Sequence, residues 1–409
     1  MKAELTPNIA SAEFKADPFP FYARLRAEEP VSRVRLPEGQ EAWLITRYDD
    51  VAMALKDERF AKDQLRVLSK EQLAKQRWVP KMFQPLARNM LDVDPPDHTR
   101  LRALVQQAFA PRRVEAMRPR MEALATELLD AAIARRRFDL VADYALPIPT
   151  TIISDMLGVP EGERHKFHGW SKKVLAVTSS APSAWKMMTT IPVLWNFMRY
   201  IRRLIKLRRD DPRDDLVSAL VAAHAAEQKL SDDELLSMIF LLIIAGHETT
   251  VNLIASGTLA LLQHPDQLEK LRANPDLIKP AIEELLRYTS PVETGTERFA
   301  SEPVEVAGVT IPQGALVMAV IASANRDERQ FSNADTLDIT REPNRHLAFG
   351  LGIHFCLGAS LARLEGQIAI NTLLTRAKNL RLAVPPEAIR WRQGLVLRGM
   401  ESLPVEVGG

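Results

Sequence analysis

A chain of 409 residues, 46% of them apolar, can bury a sizeable core; its length suggests two or three domains unless one large enzyme domain fills it. Its 54 basic and 52 acidic residues leave a net charge of +2, which gives no reason to invoke nucleic acid. A single cysteine excludes an intrachain disulfide framework and suits a reducing cytosol, so a cytoplasmic location is expected.

In chain order, residues 1–14 lack a basic stretch followed by an apolar one, so no signal peptide is expected. Asp17-Pro18 reads as an N-cap and first-turn proline, opening a helix that stops before Pro30. Strands are predicted at 31–36 and 41–46. Residues 66–90 mix charges with Trp78, Met82, Phe83 and Leu86 and read as a long, partly helical loop. From 96 to 208 the pattern is helical, with breaks expected at Pro111, Pro119, Pro147, Pro160, Pro182 and Pro192. Within it, residues 165–200 gather Trp170, Trp185, Met187, Met188, Trp195 and Phe197, and are expected to form a mobile lid.

Ser231-Asp232-Asp233-Glu234 is a capping box, and no proline follows until Pro265. The helix between them would run roughly 50 Å at 1.5 Å per residue. It is apolar on most faces over 235–244, which predicts burial in the core. The run 235–246 is interrupted by Ser237 and is too short to cross a bilayer, so no membrane span is expected. Short strands are predicted at 304–306, 309–311, 316–321, 380–384, 395–397 and 403–407. Without repeats or linkers, the expectation is one domain over 1–409, mainly α with a minor β portion.

Cys356 lies among Gly350, Gly352 and Gly358 and just before a helix-periodic run, Leu357, Leu361, Leu364 and Ile368. A helix start favours a thiolate, and a thiolate in a glycine-lined loop suits metal ligation. A lone cysteine is otherwise more often a small buried hydrophobe. The spacing of Phe349, Gly352, His354, Cys356 and Gly358 resembles the haem-binding loop of the cytochrome P-450 superfamily. That resemblance implies a P-450 fold, with a long central helix over haem b and Cys356 as axial ligand of the iron.

Ala245-Gly246-His247-Glu248-Thr249-Thr250 places a glycine, costing about 1 kcal/mol, and two threonines inside the long helix. Alone it reads as a bend. It resembles the family's oxygen-activation motif, which implies that Thr249 bonds the bound dioxygen and Glu248 relays protons. Glu284 and Arg287, at i and i+3, resemble the family's Glu-x-x-Arg, and Arg341 matches the third member of that structural triad. His98 and Arg102 stand at i and i+4, a pair of donors suited to a carboxylate. By resemblance these two, with Arg298 and His346, hold the haem propionates, and Phe349 borders the haem.

Family position also implies an apolar pocket of Trp78, Val79, Met82, Phe83, Leu241, Ile244, Ala245, Val292, Thr294, Leu395 and Val396. The implied activity is insertion of one oxygen atom of O2 into an apolar small molecule by hydroxylation or epoxidation. No flavin domain or cluster-ligating cysteine set is present, so electrons are expected from a separate ferredoxin and its reductase, or a flavodoxin-type donor. A monomer is expected. A cysteine hydrolase would need an oriented base and an oxyanion hole, which nothing here identifies. A haem carrier or a peroxide-driven enzyme would not need Glu248-Thr249.

Overall fold

The computed structural model describes residues 7–37, 39–74, 83–167, 169–170, 184–225 and 230–408. Its principal helices are α1 (Phe19–Glu28), α2 (Asp97–Gln106), α3 (Arg118–Ile133), α4 (Pro147–Met156), α5 (Ala184–Asp210), α6 (Asp232–Ala245), α7 (Glu248–Gln263), α8 (Ile278–Thr289) and α9 (Ala359–Arg376). Three of the six prolines expected to break helices begin them instead. Pro111 opens the short helix Pro111–Ala116, Pro119 lies in the first turn of α3, and Pro147 is the first residue of α4. A first-turn proline lacks only an N–H that had no partner there anyway. Pro192 lies inside α5, which continues through it, and Pro182 lies outside the described residues. Asp17 ends the preceding turn of helix and does not cap α1, whose N-cap is Pro18.

The strands are β1 (Val31–Arg35), β2 (Glu41–Ile45), β3 (Phe60–Ala61), β4 (Arg137–Asp139), β5 (Arg298–Ala300), β6 (Val304–Val306), β7 (Val309–Ile311), β8 (Leu316–Ala319), β9 (Leu380–Leu382) and β10 (Pro404–Val407). The main sheet runs β1-β2-β8-β5-β3, with β2 and β8 parallel and Ala42 opposite Leu316. β10 pairs with both β4 and β9, and β6 with β7. Three of these, β3, β4 and β5, lie outside the strands predicted from sequence; β3 and β5 are buried at every residue, so no in-and-out alternation announces them. Residues 395–397 form no strand; a single bridge joins Leu397 to Val292.

The long rod is real but divided. The capping box closes as expected: the Glu234 N–H donates to Ser231 Oγ at 3.1 Å, and Ser231 N–H donates to Glu234 Oε2 at 2.7 Å. The helix then stops at Ala245, turns through Gly246 and His247, and resumes as α7. Asp232–Gln263 is long and apolar enough to cross a membrane, yet 67% of its most apolar stretch is buried inside the protein. Val251, Ile254, Ala255 and Leu259 of α7 share one core with Leu361, Leu364 and Ile368 of α9 and with buried side chains of α3, α4, α5 and α6, while Leu253, Ala260 and Leu261 cluster with Ile282, Leu285 and Leu286 of α8. Burial of this order stabilises by about 25 cal/mol per Å² and explains why a helix through the middle is apolar all round.

Candidate active site

The stretch 349–358 turns back on itself before α9. The Cys356 N–H donates to the Phe349 carbonyl at 2.9 Å, closing the loop. Gly352 has φ +73°, and a Cβ there would come within 3.0 Å of the Leu55 carbonyl, so this turn requires glycine. Arg102 reaches from α2 to the Phe355 carbonyl at 2.7 Å, and the Arg363 guanidinium stacks 4.4 Å from the Phe349 ring. Cys356 is open to a cavity enclosed by α2, α6, α7, the start of α9 and residues 291–298. Burial of the surrounding walls pushes its thiol up, while the Gly358 N–H, Arg102 and Arg363 pull the other way. A coordinated metal cation would deprotonate such a thiol outright.

One corner of this cavity collects cations. His98, Arg102, Arg298 and His354 line it, with the His98 and His354 rings 4.3 Å apart. Burial, followed by His98, Lys62, Arg298 and Arg102, pushes the His354 imidazole down to about 2, and its buried Nε2 has no hydrogen-bond partner. Burial lowers Lys62 to about 8 and Arg298 to about 10. Arg298 donates to the Phe60 and Leu55 carbonyls at 3.0 and 3.2 Å while its face borders the cavity. Two guanidiniums and two imidazoles thus border this corner, and Asp94, the carboxylate that acts on Arg298 and His98, is not in the cavity wall, so the corner is matched to an anionic ligand.

His346, expected in this corner, is elsewhere. Its Nε2 pairs with Glu283 Oε2 at 3.1 Å, and its Nδ1 accepts from the Ala348 N–H at 3.2 Å, so both ring nitrogens have protein partners. Burial alone would raise the Glu283 carboxyl; His346 and Arg363 overcome that and hold it down at about 2. His354, which the sequence offered only as part of the loop spacing, occupies the place assigned to His346. The signal was there, two residues before the cysteine, on the loop that must border any ligand of Cys356.

Across the cavity from the loop, the interruption between α6 and α7 frees the Ala245 carbonyl, and the Thr249 hydroxyl donates to it at 3.3 Å. Thr249 and Thr250 both line the cavity. Glu248 does not: its Oε1 accepts from Arg392 Nη1 at 2.9 Å. A second acid does face inward. Glu365 of α9 is buried, burial pushes its carboxyl up to about 8, and neither oxygen completes a hydrogen bond, although the Thr250 hydroxyl favours its ionised form. A lone carboxylate on the apolar stripe of Leu361, Leu364 and Ile368 was a readable sign of it.

Comparison with known proteins bears directly on this constellation. The family model described as Cytochrome P450 matches residues 21–388. The chain belongs to the cytochrome P450 family. It is 47% identical to Cytochrome P450 107B1 of Saccharopolyspora erythraea over 95% of this chain and 94% of that one. It is similarly 46% identical to the polyketide biosynthesis cytochrome P450 PksS of Bacillus subtilis over 97% of each. The solved structure of PksS superposes with a TM-score of 0.91, covering 99% of this chain and all of that one, at 44% identity in that alignment. A myxobacterial cytochrome P450, CYP267B1, solved in complex with myristic acid, gives a TM-score of 0.91 at 44% identity, covering 98% and 99% of the two chains.

This P450 is therefore an oxygenase, and its family's cofactor is haem held by a cysteine thiolate. The cavity fits that group. The orphaned His354 Nε2 and its cationic neighbours suit two carboxylates, and ideal Cβ atoms on Gly350 and Gly358 would meet no protein atom, leaving space beside Cys356. The Glu284–Arg287 pair is fully buried. Glu284 also receives Arg341 Nε at 3.1 Å on each oxygen, and Arg287 donates to the Asn325 and Ala334 carbonyls at 2.8 and 2.7 Å.

Of the expected pocket residues, Leu241, Ala245 and Val292 line the cavity. Trp78, Val79 and Met82 lie outside the described residues. Phe83 is buried in the main core and Ile244 packs against it. Thr294 turns its hydroxyl to the Leu395 carbonyl at 2.8 Å, and Leu395 packs on the cluster around Tyr22 and Leu44. Val396 is absent from the wall; its carbonyl accepts the Glu293 N–H at 2.8 Å. Met90, Leu91, Phe109 and Ile153 supply apolar wall instead. Phe197, expected in a lid, is fully buried among Phe167, Trp170 and Phe240. Residues 168 and 171–183 lie outside the described set, as do the side chains of 184–190, so Trp185, Met187 and Met188 belong there too.

Proposed function

We propose that this chain is a single-domain haem-thiolate monooxygenase that inserts one oxygen atom of O2 into an apolar, medium-to-large organic substrate of the polyketide, macrolide or long-chain acyl class. Cys356 would hold the haem iron through its thiolate, and His98, Arg102, Arg298 and His354 would hold the propionates. When bound, the haem supplies dioxygen activation at its iron; the protein supplies shape, dryness and protons. The observation that carries the reading is one cavity in which Cys356, the cation corner and Thr249 meet under apolar side chains. Such walls orient a ligand by shape and burial. The names of relatives, PksS in polyketide biosynthesis and CYP267B1 with myristic acid, support the substrate class.

Thr249 holds a hydroxyl in the cavity at the helix interruption, and Glu248, its neighbour in the chain, would supply it with protons from the side that faces Arg392. Electrons would come from a ferredoxin and its reductase. Arg112 and Arg113, exposed on the short helix packed against α9, and exposed Arg345 offer an acidic partner its footing.

Two measurements test this. The reduced, CO-bound protein should show a thiolate-haem band that Cys356→Ala abolishes; its persistence in that variant overturns the cofactor assignment. A panel of macrolides, terpenoids, steroids, long-chain fatty acids and small charged acids should shift the haem spin state only for the large apolar members. If small charged acids alone produced the shift, the substrate class would be wrong.

A further inference from the structure

Glu248 faces away from the cavity, towards a hairpin at the end of the chain. Its side chain is 6% exposed, whereas that of Arg392, its ion-pair partner, is 33% exposed, so the pair spans from the interior to solvent. Arg392 is firmly mounted. Trp391 bridges to Met400, the Arg392 N–H donates to the Gly399 carbonyl at 2.9 Å, and Arg398 stacks 4.0 Å over the Trp391 ring. The hairpin is pressed onto α7 at the turn that carries the acid. A Cβ on Gly399 would run into the Asn252 side chain, so the hairpin lies close against α7 here. The same hairpin, through Leu397, bridges to Val292 of the cavity wall.

We propose that Arg392 is a positioning residue for proton delivery: it holds the Glu248 carboxylate at the solvent edge of the helix interruption, where it takes up protons that pass to the Thr249 hydroxyl. The inference rests on the reading of Glu248 and Thr249 as the proton-moving pair. Chemically it needs only a proton from bulk water, accepted by a carboxylate oxygen and passed to the hydroxyl oxygen as that hydroxyl releases its own proton into the cavity. No oxidant or reductant is involved. An arginine suits the task because it stays charged and offers several N–H donors, so it can keep the carboxylate and still bind water. Were Arg392 only neutralising a buried acid, any change that preserved folding would leave proton traffic unaltered.

The experiment compares holoenzyme variants R392Q, R392K, E248Q and R392Q/E248Q, each first checked for the thiolate-haem CO band. Infrared difference spectra on CO photolysis, which need no turnover, should show a carboxyl signal that E248Q removes and R392Q shifts. With the panel compound giving the largest spin-state shift as probe, R392Q should lower product per electron about tenfold, with hydrogen peroxide rising in its place. R392K should recover much of the loss, and the double variant should be no worse than E248Q alone. R392Q at wild-type coupling while E248Q is impaired would overturn the inference, as would losses that multiply in the double variant. An unimpaired E248Q would instead overturn the underlying proton-pair reading.

Discussion

Glu284→Gln is the perturbation that best tests how residues 325–344, which lead into the cysteine loop, are held. Glu284 and Arg287 are both 0% exposed and Arg341 is 8% exposed. The carboxylate accepts from Arg287 at 2.8 Å on each oxygen, from Arg341, from the Asp338 N–H at 2.9 Å and from Asn344 at 3.1 Å. The amide leaves two guanidiniums without their counter-charge and presents one of them with another donor. Breaking a buried pair by removing one partner costs about 3–5 kcal/mol. Over 409 residues, at about 2.1 cal/mol/K of unfolding entropy each, that is a fall in Tm of roughly 4–6 °C. The chain provides its own control. Glu269 and Arg272 have the same i, i+3 spacing and a 2.7 Å contact, but with side chains 67% and 25% exposed. Glu269→Gln should cost less than about 1 kcal/mol. Urea unfolding of both variants is the assay, with hydrogen exchange at 332–341, where Arg287 and Arg341 hold the Ser332, Asn333, Ala334 and Thr336 carbonyls. Equal shifts for the two variants would refute the argument that burial, and not pairing, sets the magnitude.

Thr249→Ala should still bind substrate and consume reductant but divert much of that flux to hydrogen peroxide. Loss of one placed proton-transfer group typically costs about 10²–10⁴-fold, and unchanged coupling would exclude the role. Neutralising Arg112, Arg113 and Arg345 should slow electron delivery from a ferredoxin at low ionic strength and leave spin-state titrations alone; a rate insensitive to both salt and charge counts against docking there. Glu365 gives a pH signature. Its carboxyl is raised to about 8 in the folded protein, so between the ordinary value of 4.5 and 8 the native state binds the extra proton and stability falls as pH rises. Glu365→Gln should flatten that slope, which can reach about 1.4 kcal/mol per pH unit for one group; an unchanged profile would show the acid to be ionised in the native state.

The cysteine loop, the long helix and the clamp were legible because each is local: a spacing, a capping box, a pair at i and i+3. Where the long helix divides was legible too, since Gly246 and two threonines mark it, but what the division does to Glu248 was not. Thr249 and Thr250 line the cavity, while Glu248, the first residue of the resumed helix, faces a partner outside it. That partner is Arg392, 144 positions away in sequence. Contacts of that range depend on how the chain's end packs, and no local pattern in Trp391-Arg392-Gln393-Gly394 states it. Thr294, Leu395 and Val396 missed the wall for a related reason: their backbone and hydroxyl groups pair with one another, turning the segment's chemistry inward on itself.

The two histidines show where sequence position and physical function part. His346 and His354 are eight residues apart, both on the approach to Cys356, and either could serve an anion. What separates them is the company each keeps. His346 lies beside Glu283, which already accepts two bonds from Arg363 at 2.8 Å, so its imidazole is satisfied and any further anion would be repelled by a carboxylate. His354 faces Lys62, Arg102, Arg298 and the His98 imidazole, none of them a carboxylate, and its Nε2 is buried without a partner. Desolvated like charges destabilise each other, and the cheapest relief is an anion from outside the chain. A doubly negative ligand reaching this corner would raise the His354 and His98 pKa values together. NMR titration of the two imidazoles with and without haem should therefore show both moving up on loading while His346 stays in place. Movement of His346 with His354 fixed would return the assignment to the one suggested by sequence alone.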